Sequence, residues 1–555
     1  MNVMNGPADA AMAECEAALR DLAGGRQAWA ETPVAARIAL LRQVREATFA
    51  VAEGWADEAA RRKLIPEGSP LAGEEWLSGP YAVLSACDGL IATFAGIDGK
   101  HYLDALPRRR LAGGQLALKV MPRTGWDRLL FSGISAEVWM QPGIAEADLP
   151  RHAAVAYDRP PGERQGRVAL VLGAGNIAAI APLDCFQKLF CENQVVLLKM
   201  NPVNDYLTDW LRAALRPLID AGALRIVRGD GRVGAWLCEH PLVDEIHITG
   251  ARATHDAIVW GAGAEGVANR AAGRRWNPRP ITSELGAVCP TIVVPGPWSK
   301  ADIRFQAEQI ATQKLHNSGF NCVACQVLIL PEGWAGNAPL LAELARVMVR
   351  AGRRPAYYPG AAARLAGFAA QAGPVQALDR GPDAPACLLA DFDRGDAGWQ
   401  ADTEIFAPAL SVKYLPATDP AGYLDAAVAF ANDRLYGTLG ANLLIHPKTR
   451  RQMGARFETA LQRLHYGCIA INAWTGLGFL LAAVPGAALP GRHCRTCSRG
   501  SAPCTTASCW KGPNAPSSRP PGRPFPAACS PAARRCCRAR HGSSPTADRI
   551  APPAC

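Results

Sequence analysis

Residues 167–178 read RVALVLGAGNIA and residues 195–199 read VVLLK, and the fold turns on these two stretches. From Val168 to Leu172 the chain is uninterrupted apolar sequence, closed by a glycine. The run is too short for a helix and does not alternate with polar residues, so it predicts a strand buried on both faces. Residues 224–227 (LRIV) and 245–249 (EIHIT) read the same way. Between these runs, residues 206–221, residues 233–239 and the chain from about Ala253 space their apolar residues as helices do. Short apolar strands alternating with helices predict an α/β fold with a parallel, doubly wound sheet.

Working outward, a second α/β block begins near Ile281. Its strands are expected at 291–294, 326–330, 387–390, 441–445 and 468–471, and its helices at about 302–315, 338–351 and 423–432. Towards the N-terminus, residues from about 10 to 63 predict helices, with Thr32 before Pro33 as a cap-then-proline start. Residues 136–140 and 153–157 predict the strands of a small ribbon.

The chain has 555 residues, 49% of them hydrophobic, so it can bury two or more cores. No run approaches the ~20 apolar residues of a membrane span. The first residues lack a basic region followed by an apolar stretch, so no secretory signal is expected and the location read from sequence is cytoplasmic. The formal charge of +10 suggests an anionic partner until it is located. From Gly491 to Cys555 there are ten Arg, one Lys and one acid; the other 490 residues hold 48 basic and 48 acidic side chains and are neutral. Eight of the eighteen cysteines lie in the same 65-residue segment, which has no Leu, Val, Met, Tyr, Glu or Gln. Such a segment cannot bury a core and reads as disordered. It has no aromatic interleaving for nucleic acid, so none is expected as a partner. The break in composition is what a shifted reading frame in GC-rich coding DNA would give, and a natural basic, cysteine-rich arm is the alternative. The cysteines of the body suggest no disulfide framework.

Gly173-Ala-Gly175-Asn-Ile-Ala178 matches a dinucleotide fingerprint after a strand, but the next strand ends in Lys199 where that motif wants an acid. Another constellation fits better. Asn176 precedes Lys199 by 23 residues. Thr249-Gly250 follow EIHI, Glu284 lies in Ser-Glu-Leu-Gly, Cys322 ends His-Asn-Ser-Gly-Phe-Asn-Cys, and Glu404-Ile-Phe406-Ala-Pro comes last. In this order and spacing the chain, from its N-terminal helices to about Trp474, resembles the aldehyde dehydrogenase superfamily. The resemblance implies a Rossmann-like cofactor domain (1–133 and 159–280), a bridging and oligomerisation ribbon (134–158), an α/β catalytic domain (281–480) and the disordered tail (481–555).

It also implies roles. Cys322 is the nucleophile that forms a hemithioacetal and then a thioester. Asn176 stabilises the oxyanion. Glu284 is the general base for thioester hydrolysis. Lys199, Thr249, Gly250, Glu404 and Phe406 hold the cofactor. Pro202 stands where NAD-preferring members often carry a carboxylate, so the expected cofactor is NAD or NADP. The implied substrate is a small-molecule aldehyde, and the implied assembly is a homo-oligomer if the C-terminus is intact. A coenzyme-A-acylating dehydrogenase and a non-catalytic, decayed member are the alternatives. Cys322-Val-Ala-Cys325 is also a C-x-x-C, but its zinc partners would be Cys494 and Cys497 in the tail, so no metal is expected; Cys325 as a resolving thiol is a further reading. The chain departs from the family at Ala174-Gly175, where Pro-Trp is common. It departs again beyond about Gly478, where the tail replaces a tunnel loop and a final strand. Loss of that strand would leave a sheet edge unpaired and the product poorly soluble or inactive.

Overall fold

The computed structural model describes residues 7–481 and 507–511. Three strands come first, β1 (Arg108–Arg110), β2 (Leu116–Met121) and β3 (Ser135–Trp139), and they form an antiparallel ribbon. The next five are β4 (Val168–Leu172), β5 (Val195–Lys199), β6 (Leu224–Val227), β7 (Glu245–Gly250) and β8 (Ile281–Leu285). They pair in parallel in the order β6-β5-β4-β7-β8. Every residue of β5 and all but the last of β4 are buried, which is why these runs carry no polar alternation. The chain leaves β4 first towards β5 and β6, then returns to its other side with β7 and β8. This makes the carboxyl end of β4 the topological switch point, where such sheets bind ligands.

The remaining strands are β9 (Cys289–Val293), β10 (Cys325–Pro331), β11 (Val375–Leu378), β12 (Cys387–Asp391), β13 (Ala409–Leu415), β14 (Gly440–Leu444), β15 (Cys468–Ile471) and β16 (Ala507–Lys511). With the ribbon they form one sheet in the order β1-β2-β3-β16-β15-β14-β9-β10-β13-β12-β11.

Four expectations are corrected. Ile281–Leu285 belongs to the first sheet, not to a second domain opening at 281: it lies in parallel register with β7, Ile246 opposite Ile281 and Thr249 opposite Glu284. Of the two ribbon strands expected within 134–158, only 136–140 is one, as β3; its ribbon partners β1 and β2 lie upstream of that segment. β3 folds back onto β2, whereas Val155–Tyr157 is a 3₁₀ turn whose Tyr157 hydroxyl donates to Phe190 O at 2.7 Å. Thr32 does not cap the following helix, because its hydroxyl donates backwards to Ala28 O at 2.9 Å. Within the tail, Ala507–Lys511 is a strand, parallel to β15 and antiparallel to β3. Its backbone completes both ladders, and ladder bonds do not require an apolar side chain. The rest of the tail, including Cys494 and Cys497, lies outside the described residues.

Candidate active site

The helix Lys300–Leu315 runs into a turn that positions Cys322. Asn317 (φ 53°), Ser318 (φ 55°) and Gly319 (φ 81°) are all left-handed. For the two non-glycine residues this conformation costs about 1–2 kcal/mol each. Gly319 is obligatory, since a Cβ there would sit 2.7 Å from Ala407 C. Buried polar groups hold the turn. Arg354 pairs with Glu74 at 2.8 Å and donates to Ser318 Oγ at 2.7 Å, while Glu74 accepts from Asn317 N at 3.1 Å. The Asn317 carboxamide donates to Phe320 O at 2.9 Å and across to Asn176 O at 3.0 Å. Lys63, ion-paired with Glu75 at 2.9 Å, donates to the same Asn176 oxygen at 2.9 Å. The cysteine turn is thereby tied to the glycine-rich turn at the end of β4. Lys63, Glu74, Glu75 and Arg354 are not marked by any motif in the sequence; their only signal is a charged residue type.

Cys322 is half-buried on the wall of a cavity of about 820 Å³ that Glu284 also lines. Burial pushes its thiol well above the usual range, and the carboxyls of Glu284 and Glu404 push the same way. Glu284 is itself pushed up to about 7, first by burial and then by Asp184, with His247 opposing. Asn176 is buried beside them and donates one N–H to Phe320 O at 3.1 Å. A carboxamide has two N–H bonds, so one remains for a ligand. Cys322 and Glu284 thus share one cavity wall, and Asn176 is tied to the cysteine turn through Phe320 O.

The five cofactor candidates form two groups. Lys199 ends β5, and its main-chain oxygen accepts from Gly173 N at 3.1 Å, so it flanks the glycine-rich turn. Burial lowers its amine, and the nearby Asp230 carboxylate opposes. Thr249 and Gly250 end β7 just ahead of the helix Arg252–Trp260, and the Thr249 hydroxyl donates to Asp184 Oδ2 at 2.9 Å. On the other side, Glu404 leans over Gly286, where a Cβ would sit 1.9 Å from Oε2. Burial pushes the Glu404 carboxyl up to about 8, and Oε1 is buried with no hydrogen-bond partner. An acceptor left bare in this way is costly unless a donor arrives. Phe406, at φ 48°, sets its ring against Tyr358 and Phe320, 5.1 and 5.9 Å between centroids. Gly175 leaves no space of its own: a Cβ would meet Asn201 Oδ1 at 2.8 Å and Tyr358 Oη at 3.0 Å. Those side chains occupy the room a tryptophan would need.

Cys325 faces the core and its thiol is pushed up to about 11 by burial, whereas Cys289 Sγ donates to Cys322 O at 3.4 Å. Among the described residues no group of His, Cys, Asp and Glu gathers as a metal site, and no helix is long and apolar enough to cross a membrane.

Residues 182–364 match a family model described as the aldehyde dehydrogenase family. That stretch holds Lys199, Thr249, Gly250, Glu284 and Cys322 but not Asn176, Glu404 or Phe406. Coniferyl aldehyde dehydrogenase of Pseudomonas sp. (strain HR199 / DSM 7063) is 27% identical over 194 residues, 35% of this chain and 36% of that protein. N-succinylglutamate 5-semialdehyde dehydrogenase 1 of Caulobacter vibrioides is 32% identical over 243 residues, 40% of this chain and 45% of that protein. The chain therefore spans less than half the length of these curated relatives. Among solved structures, NADP-dependent glyceraldehyde-3-phosphate dehydrogenase from Bacillus halodurans C-125 complexed with NADP shares the fold, with 19% identity, a TM-score of 0.55 and 83% of each chain covered.

Proposed function

We propose that this chain is a member of the aldehyde dehydrogenase superfamily and oxidises an aldehyde to a carboxylic acid with NAD+ or NADP+ through an acyl-enzyme on Cys322. The observation that carries this reading is a shared cavity wall. Cys322 and Glu284 line one cavity, and the carboxyl is held near neutrality, where it can exchange a proton at physiological pH.

The Cys322 thiol gives its proton to cavity water as Sγ attacks the aldehyde carbon, and takes one back when it leaves as thiolate; the uncommitted Asn176 N–H with the main-chain N–H at Cys322 takes the oxyanion. A bound nicotinamide cofactor supplies what the side chains lack, a hydride acceptor. Loss of hydride from the adduct carbon leaves a thioester on Cys322. Glu284 then takes a proton from water as its oxygen bonds to the thioester carbon. The C–S bond breaks with its electron pair on sulfur, and the acid departs. The bare Glu404 Oε1 and the amine of Lys199 fit ribose hydroxyls. Thr249 and Gly250 lie at the start of a helix suited to the diphosphate, with Phe406 beside the Glu404 end. The cavity lining around Cys322 includes Leu77, Leu90, Ile180, Phe186 and Phe479, which favours an aldehyde with an apolar body. A homo-oligomer in the cytoplasm, where a thiol nucleophile stays reduced, completes the proposal.

The test is NAD(P)H production from aldehydes with and without coenzyme A. Turnover without coenzyme A and its loss in Cys322→Ala support hydrolysis. Strict dependence on coenzyme A favours the acylating alternative, and no turnover with any aldehyde favours a decayed member.

A further inference from the structure

Glu284 sits in a polar patch for which the steps above have no use. β7 and β8 place His247 opposite Thr282 and Thr249 opposite Glu284. Residues two apart on a strand share a face, so the four side chains form one square. Asp184, from the helix Ile180–Phe186, closes it from the side. His247 Nδ1 lies 2.8 Å from Thr282 Oγ1. His247 Nε2 lies 3.3 Å from Thr249 Oγ1 and 3.5 Å from Asp184 Oδ1. Thr249 Oγ1 donates to Asp184 Oδ2 at 2.9 Å. Asp184, His247, Thr282 and Glu284 all line the cavity.

These contacts fix the imidazole's resting form. The Thr249 hydrogen is committed to Asp184, so the Thr249 oxygen can only accept, and Nε2 carries the ring proton. Nδ1 is left as an acceptor, with the Thr282 hydroxyl against it and Glu284 two residues along the same strand face. A proton acceptor therefore stands beside the residue that must shed a proton in every cycle.

We propose that His247, oriented by Asp184, receives through Thr282 the proton that Glu284 takes from water and releases it to the cavity. The proposal rests on the reading of Glu284 as base. The step balances without any other reactant. The Glu284 O–H bond breaks as a bridging cavity water takes that proton and passes one of its own to the Thr282 oxygen, and the Thr282 hydrogen moves to Nδ1. The imidazolium then loses its Nε2 proton to cavity water, exchange of the remaining proton from Nδ1 to Nε2 through water restores the resting ring, and one proton leaves per acid formed. The titratable groups facing Glu284 are Asp184 from the helix, His247 from β7 and Cys322 from its turn; those facing His247 are Asp184 and Glu284. His247 acts through Glu284, so its removal should spare acylation and slow deacylation.

The full chain with an aldehyde and NAD(P)+ provides the test, comparing wild type with Glu284→Gln, His247→Gln and Thr282→Val. The first-turnover burst of NAD(P)H reads acylation, and the steady rate reads deacylation. His247→Gln is expected to keep the burst and lose about tenfold in steady rate at pH 7, less than the roughly 10²–10⁴-fold of a direct general acid–base group because His247 acts at one remove. Its acid limb should move to higher pH, because the imidazole opposes protonation of Glu284. Imidazole added to His247→Ala should restore the rate. Thr282→Val should show the same split between burst and steady rate if His247 variants fold poorly. A stalled Glu284→Gln alongside unchanged rate and pH profile in His247→Gln and Thr282→Val overturns the relay alone. A Glu284→Gln that turns over like wild type removes the base assignment, and the relay with it.

Discussion

Replacing Glu284 with Gln should make the protein more stable while stopping its chemistry. The carboxyl titrates at about 7 in the folded chain against 4.5 in the open one, chiefly through burial. Between those values the folded state holds a proton that the unfolded state has lost, so stability falls as pH rises across that window. Below 4.5 the group costs nothing; above about 7 the full cost of ionising it in place applies, about 3 kcal/mol. Glutamine keeps the shape and has nothing to ionise. Partial solvent access trims the figure, so Glu284→Gln should gain about 1–3 kcal/mol over wild type at pH 8 and little at pH 4.5. Denaturant unfolding of both proteins across that range reads the difference directly. A variant whose advantage does not grow with pH, or that is less stable than wild type at pH 8, would refute the reasoning.

Three more expectations follow from the same contacts. Arg354→Met strands the buried Glu74 carboxylate and should cost about 3–5 kcal/mol in denaturant unfolding, with slower labelling of Cys322 by an electrophile as its turn loosens. Glu404→Gln should weaken NAD(P)+ binding about tenfold by calorimetry at pH 9, where the carboxyl is ionised and one charge-assisted hydrogen bond is lost, while Cys322 labelling without cofactor stays intact. Proline at Cys509, mid-strand between β3 and β15, should cost about 1–3 kcal/mol by removing a ladder donor and leaving its acceptor unpaired; equal stability would show that the sheet does not need the segment.

What could be read in advance is what local sequence carries. VVLLK and RVALVL are buried on both faces, and a run with no polar alternation says so. Cys322, Glu284 and Asn176 can be singled out in the sequence because each sits in a short motif; the fold puts Cys322 and Glu284 on one cavity wall and ties Asn176 to the cysteine turn through Phe320 O. Lys63, Glu74, Glu75 and Arg354 were not, because their meaning lies in partners far away in sequence: Arg354 meets a carboxylate 280 residues upstream. His247 and Thr282 were hidden for a similar reason, since only the register of β7 against β8 places them side by side. Ile281–Leu285 was assigned to the wrong sheet because strand text does not name its neighbour. Of the ribbon, 136–140 reads rightly as a strand, whereas 153–157 has strand-like residues but forms a turn whose Tyr157 hydroxyl donates to Phe190 O.

The central claim is an acyl group on Cys322 that Glu284 releases. Glu284→Gln, mixed with aldehyde and NAD(P)+ and quenched after one turnover, should yield one equivalent of NAD(P)H and a peptide carrying the acyl mass on Cys322. Wild type quenched later should return to free thiol with acid in solution. Absence of NAD(P)H, or an acyl group on any residue but Cys322, would contradict the account.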